Sequence, residues 1–242
     1  MKKNACGYEI YLNCANPAEA KRLMQQYELI DGITSNPQMI ATQNDGRTDL
    51  KNIILELRDA CGPDKLLFLQ TPSNKYDDIM KDAMSLRELA GPNTVIKIPT
   101  CSDGIKAIAD LYKMGIPTLG TQVLSVMQGV MALKAGAKWI APFYVPMKLF
   151  SGDDNINADA VIEGLVKYKE ISGCEGQILF CAPEGMNGLA WAFSTGCTAA
   201  TLDPIDFEGP FTANAFKFIN ESVQNDWDNR FGAGARIHEL LK

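Results

Sequence analysis

Short, nearly continuous apolar runs rich in valine, isoleucine and threonine punctuate the chain, and between them apolar positions recur every three or four residues. Runs of the first kind read as strands buried on both faces. Stretches of the second kind read as helices with one apolar stripe. The predicted strands are 9–13, 32–34, 65–70, 95–98, 117–121, 139–144, 177–181 and 199–203. The predicted helices are 17–28, 50–60, 75–90, 103–114, 123–135, 158–171, 186–194 and 212–227. Eight strands, each followed by a helix, is the count of a closed (β/α)8 TIM barrel in the α/β class. An open doubly wound sheet is the competing architecture, but it leaves edge strands, and no run carries a clear edge signal. Gly115, Gly136 and Gly196 each close a helical stretch just before a strand, where a left-handed C-terminal cap is expected. The longest polar loops are 42–48 and 151–157, and nothing resembles a linker. Residues 1–242 are therefore expected to form a single barrel domain, with a C-terminal helix over 211–228.

Bulk chemistry narrows the partners. The chain has 242 residues, with 23 basic against 29 acidic side chains and a net charge of −6. Nucleic acid and anionic membrane surfaces need basic patches, so neither is expected as a main partner. Seven cysteines (Cys6, Cys14, Cys61, Cys101, Cys174, Cys181 and Cys197) include no CxxC pair. A zinc site is not expected, and free thiols in apolar surroundings point to a reducing, cytoplasmic compartment. Met1-Lys2-Lys3 is not followed by the apolar run of a signal peptide. No stretch approaches the ~18 apolar residues of a membrane span.

One residue is out of character with its surroundings. Lys97 sits in Thr94-Val95-Ile96-Lys97-Ile98-Pro99, an apolar run closed by proline. Lysine is almost never buried unless it is paired or put to use. Burial lowers its pKa and favours the neutral amine, a nucleophile toward carbonyl carbon. The plain alternative is a lysine whose stem is covered while its ammonium reaches water. In a barrel the C-terminal strand ends carry the active site. That gathers Asn13, Thr34, Ser35, Asn36, Gln70, Lys97, Thr121, Phe143, Tyr144, Cys181, Ala182 and Asp203 at one mouth. Lys97 is the only basic residue in this set, and the set lacks a His/carboxylate cluster, which suits a Schiff base and not a metal. The only histidine, His238, lies near the C-terminus and reads as a surface or interface residue, not a catalytic one.

Gly32-Ile33-Thr34-Ser35-Asn36-Pro37, Val95-Ile96-Lys97-Ile98-Pro99 and Gly115-Ile116-Pro117-Thr118-Leu119-Gly120-Thr121 stand together with Gln128 and Ile140-Ala141-Pro142-Phe143. In this order and spacing they resemble the transaldolase family, particularly its short fructose-6-phosphate aldolase branch, over about residues 8–232. The ending Asp226-Trp227-Asp228-Asn229-Arg230-Phe231-Gly232 fits the same resemblance. It implies a (β/α)8 barrel without metal or organic cofactor. It also implies an imine between Lys97 and a ketose, and cleavage between C3 and C4 that leaves an enamine on the enzyme. Asn36 falls on the family's substrate-binding asparagine, Thr121 on its strand-five threonine and Gln70 on its strand-three glutamine. Thr34 is expected beside them. The resemblance also implies homo-oligomeric rings in which the C-terminal helix packs on a neighbour.

Departures from that pattern matter as much as the matches. Asn13 stands where the family has an aspartate that helps move protons, and an amide cannot act as general acid or base. Phe143 occupies a position that is tyrosine in the aldolase branch. Tyr144 follows it, and neighbouring residues in a strand face opposite ways. Asp203 is the one carboxylate nominated as a relocated base, the alternative being a cap on the Asp203-Pro204 turn. At the phosphate end, the family's arginine falls on Pro146, with Lys148 the nearest cation, and its serine falls on Ala182, close to Glu184. Phosphate recognition needs arginine or several N–H and O–H donors. The expected substrate is thus a small hydroxylated ketone or sugar that is not phosphorylated. The competing readings are an ordinary sugar-phosphate aldolase or transaldolase, and a barrel that binds carbohydrate without catalysis.

Overall fold

The structure, a computed structural model, describes residues 7–154, 156–181 and 185–242. Its strands are β1 (Glu9–Asn13), β2 (Gly32–Thr34), β3 (Leu66–Gln70), β4 (Thr94–Pro99), β5 (Thr118–Val123), β6 (Trp139–Pro142), β7 (Gln177–Cys181) and β8 (Ala199–Leu202). They form one closed parallel barrel in sequence order. The seam is β1 on β8, where Glu9, Ile10, Tyr11 and Leu12 pair with Ala199, Ala200, Thr201 and Leu202. Closure leaves no edge strand, which settles the choice against an open sheet.

The helices between strands are α1 (Pro17–Gln26), α2 (Pro37–Thr42), α3 (Leu50–Cys61), α4 (Tyr76–Ala90), α5 (Ser102–Lys113), α6 (Val126–Lys134), α7 (Tyr144–Leu149), α8 (Ser151–Asp154), α9 (Ala158–Ser172) and α10 (Gly185–Thr195). After β8 come α11 (Pro204–Thr212), α12 (Asn214–Phe231) and α13 (Ile237–Leu240). The expected long helices are all present. The short α2, α7, α8, α11 and α13 were not anticipated, because a turn or two is too short to display a stripe. Among the boundaries that differ from expectation, two bear on the site. Strand six stops at Pro142, and Tyr144 opens α7 instead of ending the strand. Strand five runs on to Val123, and α6 starts only at Val126, capped by the Ser125 hydroxyl. Gly115, Gly136 and Gly196 take the left-handed φ values of 71°, 103° and 116° expected of them.

The chain divides into two compact units, Met1–Pro204 and Ile205–Lys242. In the first, alternate strand residues fill the barrel: Tyr11, Phe68, Val95, Leu119, Trp139, Ala141, Leu179 and Ala199 are buried together. Phe68 meets Tyr11 and Trp139 edge-on, with ring centroids 4.8 and 5.2 Å apart. At the N-terminal end of β1 the Glu9 carboxylate accepts from the Tyr11 hydroxyl (2.7 Å), the Trp139 indole N–H (3.0 Å) and the Gln177 amide (2.9 Å). One carboxylate thereby ties three strands across the barrel floor. In the second unit, α12 buries no residue. Its Trp227 indole donates to the Ala235 carbonyl at 2.8 Å, and Phe216, Phe218, Ile219 and Val223 are exposed. No helix among the described residues is long and apolar enough to cross a membrane.

Arg58, half-buried near the end of α3, fastens the helix layer to the barrel. Its guanidinium donates to the carbonyls of Ala90, Gly62, Lys65 and Asn93 at 2.8–3.0 Å. These carbonyls lie at the ends of α3 and α4 and the starts of β3 and β4, where helix ends leave acceptors unsatisfied. A planar fork with five donors can meet them together, and an ammonium cannot. Arg58→Ala is expected to cost about 3 kcal/mol. For a chain of this size that lowers the melting temperature by about 6–12 °C. Arg58→Lys should recover less than half of the loss. Scanning calorimetry checks this, and a fall of less than about 2 °C for the alanine variant contradicts the assignment.

Candidate active site

Strand parity decides what faces the mouth. Val95 lies in the barrel core, so Lys97, two residues on, also points inward, one layer nearer the C-terminal end. Lys97 is 5% exposed. Its Nζ donates to the Ser35 carbonyl at 2.9 Å, and among the described residues no carboxylate lies within ion-pair distance of it. Ser35 is itself held, its N–H and hydroxyl both directed at the Phe68 carbonyl at 3.1 and 3.3 Å. Burial holds the Lys97 amine below the ordinary lysine value, with the nearby Cys181 sulfur working against that. Cys181, inward-facing on β7, is pushed up by burial while the Lys97 charge pulls it down. Amine and thiol are both driven toward their uncharged forms. A neutral amine that spends one N–H on a carbonyl keeps its lone pair for an electrophilic carbon.

Around this amine the strand ends bring neutral polar groups. Thr121 is fully buried, and its hydroxyl has no hydrogen-bond partner among the described residues. Thr121 lies two residues beyond Leu119, the register partner of Lys97, and an orphan buried hydroxyl there marks a place where something polar is meant to sit. Its position is built by an irregularity: the β5–β6 register shifts between Gly120 and Val123, and Gln122 takes φ 59°. The Thr100 hydroxyl holds the distorted segment, within 3.1 Å of the carbonyls of both Thr121 and Gln122. Gln128 braces the next turn, its Oε1 accepting from the Leu124 N–H at 3.0 Å. Gln70 ends β3 in register with Lys97 and is half-buried. Asn36 caps α2 by accepting the Met39 N–H at 2.8 Å, and its amide donors have no partner among the described residues.

On the far side of the mouth the Asn13 amide donates to Asp203 Oδ1 at 2.7 Å, and the Thr34 hydroxyl donates to Asn13 Oδ1 at 3.2 Å. Asn13, Thr34 and Asp203, nominated separately from sequence, are therefore one hydrogen-bonded group.

Tyr144 and Lys148 are placed differently. The Tyr144 hydroxyl is bound to Asp159 at 2.6 Å and its ring packs on Phe180 and Trp191. Phe180 alternates with the inward Leu179 and Cys181, so Tyr144 lies against the outer face of the barrel wall. Lys148 is on the exposed side of α7, its ammonium 5.2 Å over the Tyr144 ring. Phe143 is half-buried, its N–H donating to the Val123 carbonyl at 3.0 Å. Ala182 and Glu184 lie outside the described residues. A separate apolar cavity of about 460 Å³ opens between α2, α3 and α4, lined by Ile40, Ile54, Leu86 and Gln70 among others, and Lys97 is not on its wall. Ser35 and Cys181 were among the residues expected at the mouth, but the Ser35 backbone carbonyl as the partner of Lys97 was not anticipated, and the Thr100 brace was missed outright. A backbone acceptor leaves no trace in side-chain identity.

Residues 10–161 match the family model described as transaldolase/fructose-6-phosphate aldolase. Among solved structures, one titled "Structure of a cube-shaped, highly porous protein cage designed by fusing symmetric oligomeric domains" is similar at a TM-score of 0.56 and 15% identity, covering 90% of this chain and 77% of that chain. At that identity the likeness shows the fold alone.

The burial of Lys97 has a measurable sign. Unfolded, the side chain keeps its proton up to about pH 10.4. Folded, it gives the proton up at lower pH. Between those points the unfolded chain holds the extra proton, so wild-type stability rises with pH. Lys97→Met removes the desolvated amine. Its melting temperature should lie above wild type near neutral pH, with a lead that shrinks as pH climbs toward 10. A lead that stays constant across pH, or a variant that melts lower throughout, contradicts the buried uncompensated amine.

Proposed function

We propose, given that the chain belongs to the transaldolase/fructose-6-phosphate aldolase family, that it is a class I enzyme working through a Schiff base on Lys97. The observation that carries this reading is an inward lysine, 5% exposed, whose partner among the described residues is the Ser35 carbonyl. The neutral amine adds to the C2 carbonyl of a ketone or ketose, and loss of water gives the iminium. That cation is the electron sink that lets the C3–C4 bond break, leaving an enamine on the lysine. Thr121, with its unpartnered buried hydroxyl, holds the water released and later consumed, or a substrate hydroxyl. Gln70 and the free donors of Asn36 grip hydroxyls along the carbon chain.

The polar groups at hand suit a polyol better than a phosphate. Pro146 replaces the family's arginine, and Lys148 lies on the exposed side of α7. The substrate we infer is a small, unphosphorylated hydroxylated carbonyl compound of the dihydroxyacetone type. The exposed Phe218 and Ile219 of α12 support a homo-oligomer in which this helix packs on a neighbouring copy. The six free cysteines among the described residues fit a reducing cytoplasm.

The direct test is borohydride reduction in the presence of dihydroxyacetone, fructose, fructose 6-phosphate or hydroxyacetone, followed by intact-mass measurement and peptide mapping. A single adduct on Lys97 is expected, trapped better by an unphosphorylated compound. Preferential trapping by fructose 6-phosphate supports the ordinary sugar-phosphate enzyme instead. No adduct from any of them favours a barrel that only binds carbohydrate. Lys97→Met should lose turnover completely, and retained turnover in that variant excludes the imine. Phe218→Asp with Ile219→Asp should lower the native mass by dissociating the assembly, read by light scattering. An unchanged mass shows that α12 is not the contact.

A further inference from the structure

If Lys97 forms an imine, cleavage still needs a group that takes a proton from the substrate hydroxyl as the carbon–carbon bond breaks. The first strand offers only the amide of Asn13. Gln70 is an amide too. The Tyr144 hydroxyl is bound to Asp159 outside the barrel wall. The Tyr11 hydroxyl faces Glu9 at the closed floor, and burial beside that carboxylate pushes its pKa up, away from use. Burial also raises the Cys181 thiol.

We propose that Asp203 is the proton-transfer carboxylate of this site, its function carried across the barrel seam from the first strand to the eighth. The register makes the exchange possible. Leu12 pairs with Leu202 across the β1–β8 seam, so Asn13 and Asp203 continue the two strands side by side. At that rung Asn13 Nδ2 donates to Asp203 Oδ1 at 2.7 Å. The orientation of the amide is set in turn by the Thr34 hydroxyl on its oxygen at 3.2 Å. The carboxylate is thus fixed by a chain of two hydrogen bonds anchored on β2, and it is half-buried. It belongs to the same space as the amine, because Cys181 on β7 feels the charges of both Lys97 and Asp203. An asparagine at position 13 is then an orienting residue. A second carboxylate there would face Asp203 at hydrogen-bond distance, and one of the two would have to hold a proton.

In the step assigned to it, Asp203 removes the proton of the C4 hydroxyl of the Lys97 iminium. The C4 oxygen forms its second bond to carbon as the C3–C4 bond breaks. The electron pair of that bond becomes the C2–C3 double bond of the enamine, and the C2–N π pair returns to nitrogen. Asp203, now protonated, returns its proton to C3 when the enamine is quenched, and water then hydrolyses the iminium. Charge and protons balance, and no further reactant is needed.

The test rests on the Lys97 reading and separates the two. Asp203→Asn keeps the shape and can still pair with the Asn13 amide. It should lose turnover about 10²-fold or more, the usual worth of a general acid–base group. It should nevertheless give the same end-point borohydride adduct on Lys97 as wild type. The double variant Asn13→Asp with Asp203→Asn returns a carboxylate to the neighbouring rung, and it should regain at least about tenfold of the loss. Turnover of Asp203→Asn within about twofold of wild type overturns the proposal while leaving the imine intact. So does a lost adduct with no rescue, which is the signature of a merely structural role. Absence of an adduct in the wild-type protein removes the imine premise, and this proposal with it.

Discussion

Everything at the mouth depends on the pairing of the last strand with the first. Four backbone rungs between β1 and β8 convert a row of parallel strands into a ring. A strand side chain has only two directions, and in a closed ring one of them is interior. A slip of one residue at the seam would turn Tyr11 outward and carry Asn13 away from Asp203. Closure therefore sets which residues are packing and which are chemistry. Along β3 and β4 the same parity sets Phe68 and Val95 in the core and Gln70 and Lys97 one layer nearer the C-terminal rim.

That rim is poor in charge. Around the Lys97 amine stand a carbonyl, a threonine hydroxyl and a thiol, with no carboxylate in ion-pair reach among the described residues. Isolating an amine in this way costs stability, and the cost is what makes it nucleophilic. The aromatic packing of Tyr11, Phe68 and Trp139 and the Glu9 hydrogen bonds beneath them stabilise the frame that bears it. Asp203 is paired with the Asn13 amide and makes no ion pair with Lys97 among the described residues.

Much of this was legible in the sequence, for identifiable reasons. Strands buried on both faces are continuous apolar runs, so all eight strands and the barrel could be read directly. Lys97 was visible because it interrupts such a run. What escaped was set by backbone or by contacts distant along the chain. The left-handed Gln122 and the register shift behind Thr121 have no compositional signal, since glutamine rarely takes a positive φ. Tyr144 read as the end of a strand because Trp139 to Tyr144 is one unbroken apolar run. Phe143 turns the chain one residue too early for that reading. Asn13 and Asp203 are 190 residues apart, and each alone looked like a loss or a cap. Only the seam shows them to be one unit.

The closed floor has its own consequence. Tyr11, Phe68 and Trp139 fill the lumen, and Glu9 knots its lower end. Among the described residues these side chains close the lumen below the mouth, so a molecule that enters from above leaves by the same way. For chemistry that handles two carbonyl compounds, this dictates traffic. On the Schiff-base reading proposed above, the first aldehyde must vacate the vestibule before an acceptor can reach the carbon tethered to Lys97. A single-ended chamber of this kind enforces turn-taking: the order of events is built into the plumbing, whatever the affinities of the two compounds.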